Sequence, residues 1–339
     1  MAINVKSKVT AAKIESVFNV AEVLTNADTF EVKMSSKVDA TLDTVERDVI
    51  RDSLLSLPPI PVRENTSGNL DFEIIPSGTL QELQGDALWE AGMGIKSAAG
   101  TATGAFIGFS DAGVTPADEI YLADVAEDGT AVAYLSGGAS DATKSLTIKE
   151  FIGTDKSLET TGNVVSSIAI NLPSADVANV SFSIEGCGFT TNNADTKLSN
   201  LCTSTLPYLG KSAVFKFDGS TVNATDVSIN IANTVYNEEA ITSDGYSSKQ
   251  VTAKDITGSF TVLFEDYSLL TKFQDSVNGS LYISLTQGTG TFAVYIPVLR
   301  LTEFSKADSS GVYSQTVSFQ VPANCDADVE PIIIAHITA

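Results

Sequence analysis

A mainly β fold with short helices, arranged as two similar halves, is predicted by three observations on this 339-residue chain. Apolar residues alternate with polar ones along most of its length, the pattern of half-buried strands. The alternating runs are bounded by Gly, Asn, Asp and Ser, which favour tight turns. One order of segments recurs at an offset of about 190 residues.

The strands follow in order from that alternation. Leu70-Asp-Phe-Glu-Ile, Ile168-Ala-Ile-Asn-Leu, Val180-Ser-Phe-Ser-Ile, Val227-Ser-Ile-Asn-Ile, Phe260-Thr-Val-Leu-Phe and Val317-Ser-Phe-Gln-Val each place alternate side chains on one face. Two segments break the rhythm, 78–91 and 267–277, with apolar residues at spacings of three and four. Both are expected to be short amphipathic helices, capped by Ser77 and Asp266. Trp89 falls on the apolar face of the first and is expected in the core.

The repeat is read from Ser67-Gly68-Asn-Leu-Asp-Phe-Glu-Ile and Thr257-Gly258-Ser-Phe-Thr-Val-Leu-Phe, which align without a gap and reach Leu80 with Leu270 and Gln84 with Gln274. Val38-Asp-Ala-Thr-Leu and Val227-Ser-Ile-Asn-Ile precede them at nearly equal distances, and Val180-Ser-Phe and Val317-Ser-Phe close the halves. A duplicated domain is expected, 1–190 and 191–339. The first copy has an N-terminal arm, 1–30, and an inserted segment at about 95–145 with hairpin signals at Asp128-Gly129 and Gly137-Gly138. The second ends in a C-terminal tail from Ala323.

Composition narrows the function classes. A net charge of −22, from 42 acidic against 20 basic residues, opposes binding nucleic acid through its phosphates. Cys187, Cys202 and Cys325 are widely spaced, so neither a disulfide framework nor a thiolate metal site is indicated, and a reducing compartment fits. Lys6, Lys8, Lys13 and Glu15 interrupt the N-terminus before any apolar run reaches signal-peptide length, and Pro331-Ile-Ile-Ile-Ala is too short to cross a bilayer. Folding in the cytoplasm without membrane insertion is expected.

Sites of chemistry are few. His336 is the single histidine, which disfavours His-based catalytic triads and excludes multi-His metal sites. Gly210-Lys211-Ser212 ends like a phosphate-binding loop, but Thr205 stands where the first Gly belongs. Gly92-Met-Gly94 lacks the third Gly of a dinucleotide fingerprint and is expected to be a helix stop and loop. Asp326-Ala-Asp-Val-Glu330 and Asp124, Glu127 and Asp128 lack the spacing of a calcium loop and are expected to be solvated turns. No catalytic, cofactor-binding or metal-binding residue is assigned.

These residues together resemble the tail-tube, or major tail, proteins of long-tailed bacteriophages, in particular those with flexible non-contractile tails of the siphovirus type. The resemblance spans nearly the whole chain. It rests on Arg63-Glu-Asn-Thr-Ser-Gly-Asn-Leu-Asp-Phe-Glu, Gly162-Asn-Val-Val-Ser-Ser-Ile-Ala-Ile, Val180-Ser-Phe-Ser-Ile-Glu-Gly, Val227-Ser-Ile-Asn-Ile-Ala-Asn, Ile256-Thr-Gly-Ser-Phe-Thr-Val-Leu-Phe-Glu-Asp and Tyr295-Ile-Pro-Val-Leu-Arg-Leu.

The resemblance implies a non-enzymatic structural subunit of the virion tail, with a β-sandwich or barrel-type domain flanked by a helix. Copies pair edge to edge into a ring lined by an inner β-barrel, and the rings stack into a conduit for viral DNA. A duplicated subunit implies three chains with pseudo-sixfold symmetry; without the repeat, six. Other partners implied are tail-tip and tail-terminator proteins at the tube ends, with DNA passing unbound through an acidic lumen. The long loops 43–64 and 233–254 are implied as ring-stacking contacts: Asp43, Glu46, Arg47, Asp48, Arg51, Asp52, Arg63 and Glu64 in the first copy, Glu238, Glu239, Asp244 and Lys249 in the second. The competing readings are another phage or bacterial surface, decoration or adhesion β-protein, and a carbohydrate-active enzyme using two carboxylates.

Overall fold

The computed structural model describes residues 5–49, 57–76, 82–99, 130–136, 142–199, 205–239, 246–264, 266–309, 312–322 and 331–338. The first half contains β1 (Val9–Ile14), β2 (Thr29–Phe30), β3 (Lys37–Val45), β4 (Ile60–Glu73), α1 (Asp86–Met93), β5 (Gly94–Ala99), β6 (Thr130–Ser136), β7 (Leu146–Ile152), β8 (Lys156–Pro173), β9 (Asn179–Gly186) and β10 (Gly188–Asn192). The second contains β11 (Ala213–Phe217), β12 (Ser220–Thr221), β13 (Ala224–Glu239), β14 (Tyr246–Leu263), α2 (Ser268–Gln274), β15 (Asn278–Gln287), β16 (Gly290–Ser309), β17 (Val312–Gln320) and β18 (Ile333–Thr338).

One scheme of antiparallel pairing runs twice through these elements. In the first half β2, β1, β7 and β8 follow one another, and β10 also pairs with the first part of β8. The second part of β8 carries β9, β4 and β3 in that order. In the second half β12, β11, β15 and β16 follow one another, and β18 also pairs with the first part of β16. The second part of β16 carries β17, β14 and β13. The hairpin β5–β6 has no counterpart among the described elements, and its β6 pairs with β18.

Two local details recur with the scheme. In β8 the register steps from Val165 opposite Ile184 to Ser167 opposite Ser183, and in β16 from Leu301 opposite Phe319 to Glu303 opposite Ser318. Each step leaves one bulged residue, Ser166 or Thr302, which bends the strand and lets it serve two sheets. A Cβ on Gly68 would stand 2.4 Å from the Lys37 carbonyl oxygen, and one on Gly258 2.5 Å from that of Ser228. The strands therefore approach at these two matching points as only glycine permits.

Alternation places Leu70 and Phe72 of β4, Ile168 of β8, Phe182 of β9, Ile229 of β13, Phe260 of β14 and Val317 of β17 in the interior. Phe30 of β2 lies 5.5 Å from Phe72 of β4 between ring centroids, and Phe215 of β11 lies 5.2 Å from Phe260 of β14. Each half is thus a two-layer β-sandwich closed by aromatic contacts. Trp89 of α1 is fully buried and meets Phe182 of the first half at 5.0 Å and Phe292 of the second at 6.3 Å. The apolar interior accordingly runs through both halves as one continuous core. Burying one such large side chain contributes roughly 3 kcal/mol.

The helices differ from expectation in extent. α1 starts only at Asp86, because Gly85 at φ 71° adopts a left-handed backbone that interrupts the helical spacing. Ser77 lies outside the described residues. Gly94, at φ 112°, ends the helix with its amide returned to the Glu90 carbonyl, and the chain enters β5 directly instead of a loop. Tyr267, not Asp266, is the N-cap residue of α2; Asp266 stands one residue earlier, its Oδ1 accepting the Ser268 amide at 2.8 Å. Within the segment 1–30, β1 pairs with β7 along its whole length. Of the expected C-terminal tail, 323–330 lies outside the described residues, and β18 sits between β16 and β6. The signals Asp128-Gly129 and Gly137-Gly138 lie outside the described residues, flanking β6.

Candidate assembly surfaces

The halves meet through β8 and β13, which pair residue by residue from Asp226 opposite Pro173 to Ala232 opposite Ser167. This joint makes a single sheet in the order β3, β4, β9, β8, β13, β14, β17 and the second part of β16. Its two outermost strands are each paired on one side among the described residues. Lys37, Asp39, Thr41 and Leu42 on one edge, and Thr302, Glu303, Ser305 and Lys306 on the other, are exposed. Open backbone edges of this kind are templates for another strand.

One face of the sheet covers the core. The other alternates with it and is built of small polar residues: Ser67 and Asn69 of β4, Ser181 and Ser183 of β9, Asn171 of β8, Ser228 and Asn230 of β13, Thr257 and Ser259 of β14, Thr316 and Ser318 of β17. The charged residues on it are mostly acidic, Asp39, Asp71, Glu73, Glu185, Asp226, Asp255 and Glu303 against Lys37 and Arg300. Such a face has little to hold a polyanion.

Past the sheet both hairpins continue as arms. The β3–β4 ladder reaches Val45 opposite Ile60, and the β13–β14 ladder reaches Glu239 opposite Tyr246. The segment 233–254, expected as a loop, is therefore strand at 233–239 and 246–254, and the segment 43–64 is strand at 43–45 and 60–64. Exposure of both faces at 43–45 and 60–62, and polar residues such as Asn233 and Lys249 at the buried positions of the second arm, remove the apolar alternation by which a strand is recognised.

Asp43 stands opposite Arg63 across the first arm. The Arg63 guanidinium donates to Glu239 Oε1 at 2.9 Å and lies 4.6 Å from the centre of the Tyr246 ring, so it ties the tips of the two arms together. Glu64 Oε2 accepts the Phe189 amide at 3.3 Å, and Glu238 Oε2 accepts the Ser248 hydroxyl at 2.6 Å. Glu46, Arg47 and Asp48 are exposed, whereas Arg51, Asp52 and Asp244 lie outside the described residues. Lys249 is 3% exposed with its amine 5.1 Å from the Tyr246 ring, and burial pushes its pKa down. It is a buried group opposite Asn237, three residues from Tyr246 where the ladder ends. Tyr246, which organises Arg63 and Lys249, carries no signal in the sequence that distinguishes it from the other tyrosines.

The remaining polar features serve packing. His336 is fully buried, its Nε2 2.8 Å from the Tyr208 hydroxyl. Burial pushes the Cys187 thiol up to about 11, which keeps it protonated and unreactive. Gly210–Ser212 forms one short 3-10 turn, with Gly210 packed against the Pro173 carbonyl. Among the described residues no group of three or more His, Cys, Asp or Glu is arranged to hold a metal, and no helix is long and apolar enough to cross a membrane. The acidic segments at 124–128 and 326–330 lie outside the described residues.

A family model described as phage tail tube protein matches residues 7–327. No curated protein matches the chain.

Proposed function

The chain belongs to the phage tail tube protein family, and from that membership we propose that three copies close into a ring whose inner wall is the sheet β3 to β16 repeated. Its role is structural and its place is the virion tail. In this reading residues 1–190 and 191–339 are two copies of one tail-tube domain, with the β5–β6 insertion in the first. Rings stack into the tube of a long non-contractile tail, and the tube conducts viral DNA into the host.

The joint between β8 and β13 carries the reading. Within one chain it already couples two units with the same strand order, so the contact that extends the sheet exists once inside each subunit. Repeating it between chains extends the sheet further, and closure removes the two free edges. Three chains supply 24 strands; at a strand spacing of about 4.8 Å their backbone circle is roughly 37 Å across without tilt, and about 45–50 Å at the tilt usual for barrels. That bore admits a DNA duplex with its hydration shell, and six chains would double it. The polar, acidic face would then line the bore. Glu46, Arg47 and Asp48 on the first arm are positioned to meet the next ring, with tail-tip and terminator proteins occupying the ends.

Negative-stain imaging with native mass measurement tests this. Hollow tubes, together with rings having the mass of three chains, are expected. A chain that stays monomeric at high concentration overturns the ring; rings with the mass of six chains overturn the threefold arrangement.

A further inference from the structure

Resting on that ring reading, we propose the register of the joint between chains: the free edge of β16 in one copy bonds the free edge of β3 in the next, with Asp308 opposite Ser36, Lys306 opposite Val38 and Phe304 opposite Ala40. The assignment comes from landmarks that occur twice. Val38 faces Gly68 as Ile229 faces Gly258, which equates β3 with β13. The bulges in β8 and β16 stand at the same step against β9 and β17, which equates Ile168 with Phe304 and Ile170 with Lys306. Carrying the internal pairs Leu172–Val227, Ile170–Ile229 and Ile168–Ile231 through these equivalences gives the three proposed pairs.

The side chains suit the register. On the core side Phe304, half-buried, falls opposite Ala40 and diagonal to Leu42, which is 50% exposed in the single chain. Diagonal neighbours lie within reach of an aromatic ring, so the joint covers Leu42. On the polar side Asp39 meets Ser305 and Thr41 meets Glu303, so no like charges stand directly opposite.

The edge of β3 is guarded in the single chain. Lys8 Nζ donates to the Ser36 carbonyl at 2.7 Å, the Val38 amide donates to the Glu150 carboxylate, and Lys8 and Glu150 form a close ion pair. In the proposed register the Ser36 carbonyl and the Val38 amide are two of the groups that bond β16. Joining therefore requires Lys8 and Glu150 to release them, and the pair is the partner that β16 displaces.

Cysteine pairs read the register directly. Asp39→Cys with Ser305→Cys, and Thr41→Cys with Glu303→Cys, place thiols at non-hydrogen-bonded pairs, where Cα atoms stand about 4.5 Å apart, within disulfide range. Oxidation of assembled tubes is expected to shift chains from the monomer band to covalent dimers and trimers for both pairs. Lys37→Cys with Glu303→Cys, four residues out of register, and the single variants are expected to stay monomeric. Tubes in which neither in-register pair links, or only the offset pair links, overturn the register while the ring stands. If the unaltered chain forms no rings, the ring reading fails first. Should one pair impair assembly, the other decides, and failure of both to link where the unaltered chain assembles overturns the register.

Discussion

At the residue scale, burial decides which charges are available for contact. Lys249 belongs by sequence to a charged stretch expected to face a neighbouring ring, yet its side chain lies beneath the arm beside Tyr246. Nothing in the local sequence separates it from the exposed Glu238, because the burial comes from chain folded far away. Arg63 and Glu239 are likewise 176 positions apart and were legible as charges but not as a pair. Trp89 was easier: one Trp on a helix's apolar face indicates an interior position. The buried ammonium makes a prediction with a definite sign. Its pKa is lowered by burial first, so the cost of holding the charge is fully present at neutral pH. That cost falls as pH rises through the lowered value toward the unfolded lysine's value of about 10.4, since the unfolded chain then binds more protons. Lys249→Met is therefore expected to stabilise the fold by about 1 kcal/mol at pH 7, with the gain shrinking as pH rises through the lowered value toward that of the unfolded lysine. Thermal midpoints of both proteins measured against pH check it; a gain that grows with pH contradicts it.

At the scale of elements, strands with an apolar buried face were legible and stretches without an apolar face were not. β4, β8, β9, β13, β14 and β17 keep their alternation where they cover the core, but the outer parts of β3–β4 and β13–β14 lose it and read as loops. The start of α1 was hidden because its spacing extends back through Leu83, and the stop at Gly85 is a matter of backbone angle. The repeat was visible as order and spacing; the matching bulges at Ser166 and Thr302 were not, since a bulge is defined by the partner strand. The edge of β3 shows a further element-scale property. Charged groups on an open edge oppose unwanted pairing, and Lys8 with Glu150 occupies two backbone groups there. Replacing both by apolar residues of similar volume is neutral or stabilising for many buried ion pairs. The double variant Lys8→Met, Glu150→Met is therefore expected to fold with an unchanged or raised midpoint and to associate at a lower protein concentration. Sedimentation of assemblies across a dilution series reads that threshold; an unchanged or higher threshold in a folded variant removes the guarding role.

For the whole molecule, the net charge of −22 and the polarity of one sheet face bear on the same question. In the proposed reading the ring conducts a polyanion and must avoid holding it, and each cation presented to phosphate adds attraction together with counterion release. The face opposite the core has Ser, Thr and Asn as its main surface and few cations, so its charge is open to alteration without touching the interior. Ser67, Asn69 and Asn171 are exposed there and point away from the buried Leu70, Ile170 and Leu172. Changing all three to Lys leaves the ladder's backbone bonds in place and adds nine positive charges to each proposed three-chain ring. Charges on facing walls act over a Debye length of about 10 Å at 0.1 M salt and about 3 Å at 1 M, so the added attraction is strong only in dilute salt. Tubes of the unaltered chain, incubated with short DNA duplexes and pelleted, are expected to carry down no DNA at any salt. Tubes of the triple lysine variant are expected to retain it at low salt and release it as salt rises. Retention by the unaltered tubes equal to that of the variant sinks the idea of a non-adhesive lining. Variant tubes that assemble yet never retain DNA place the altered face outside the bore, because the same lysines inside it would meet the phosphate backbone at close range.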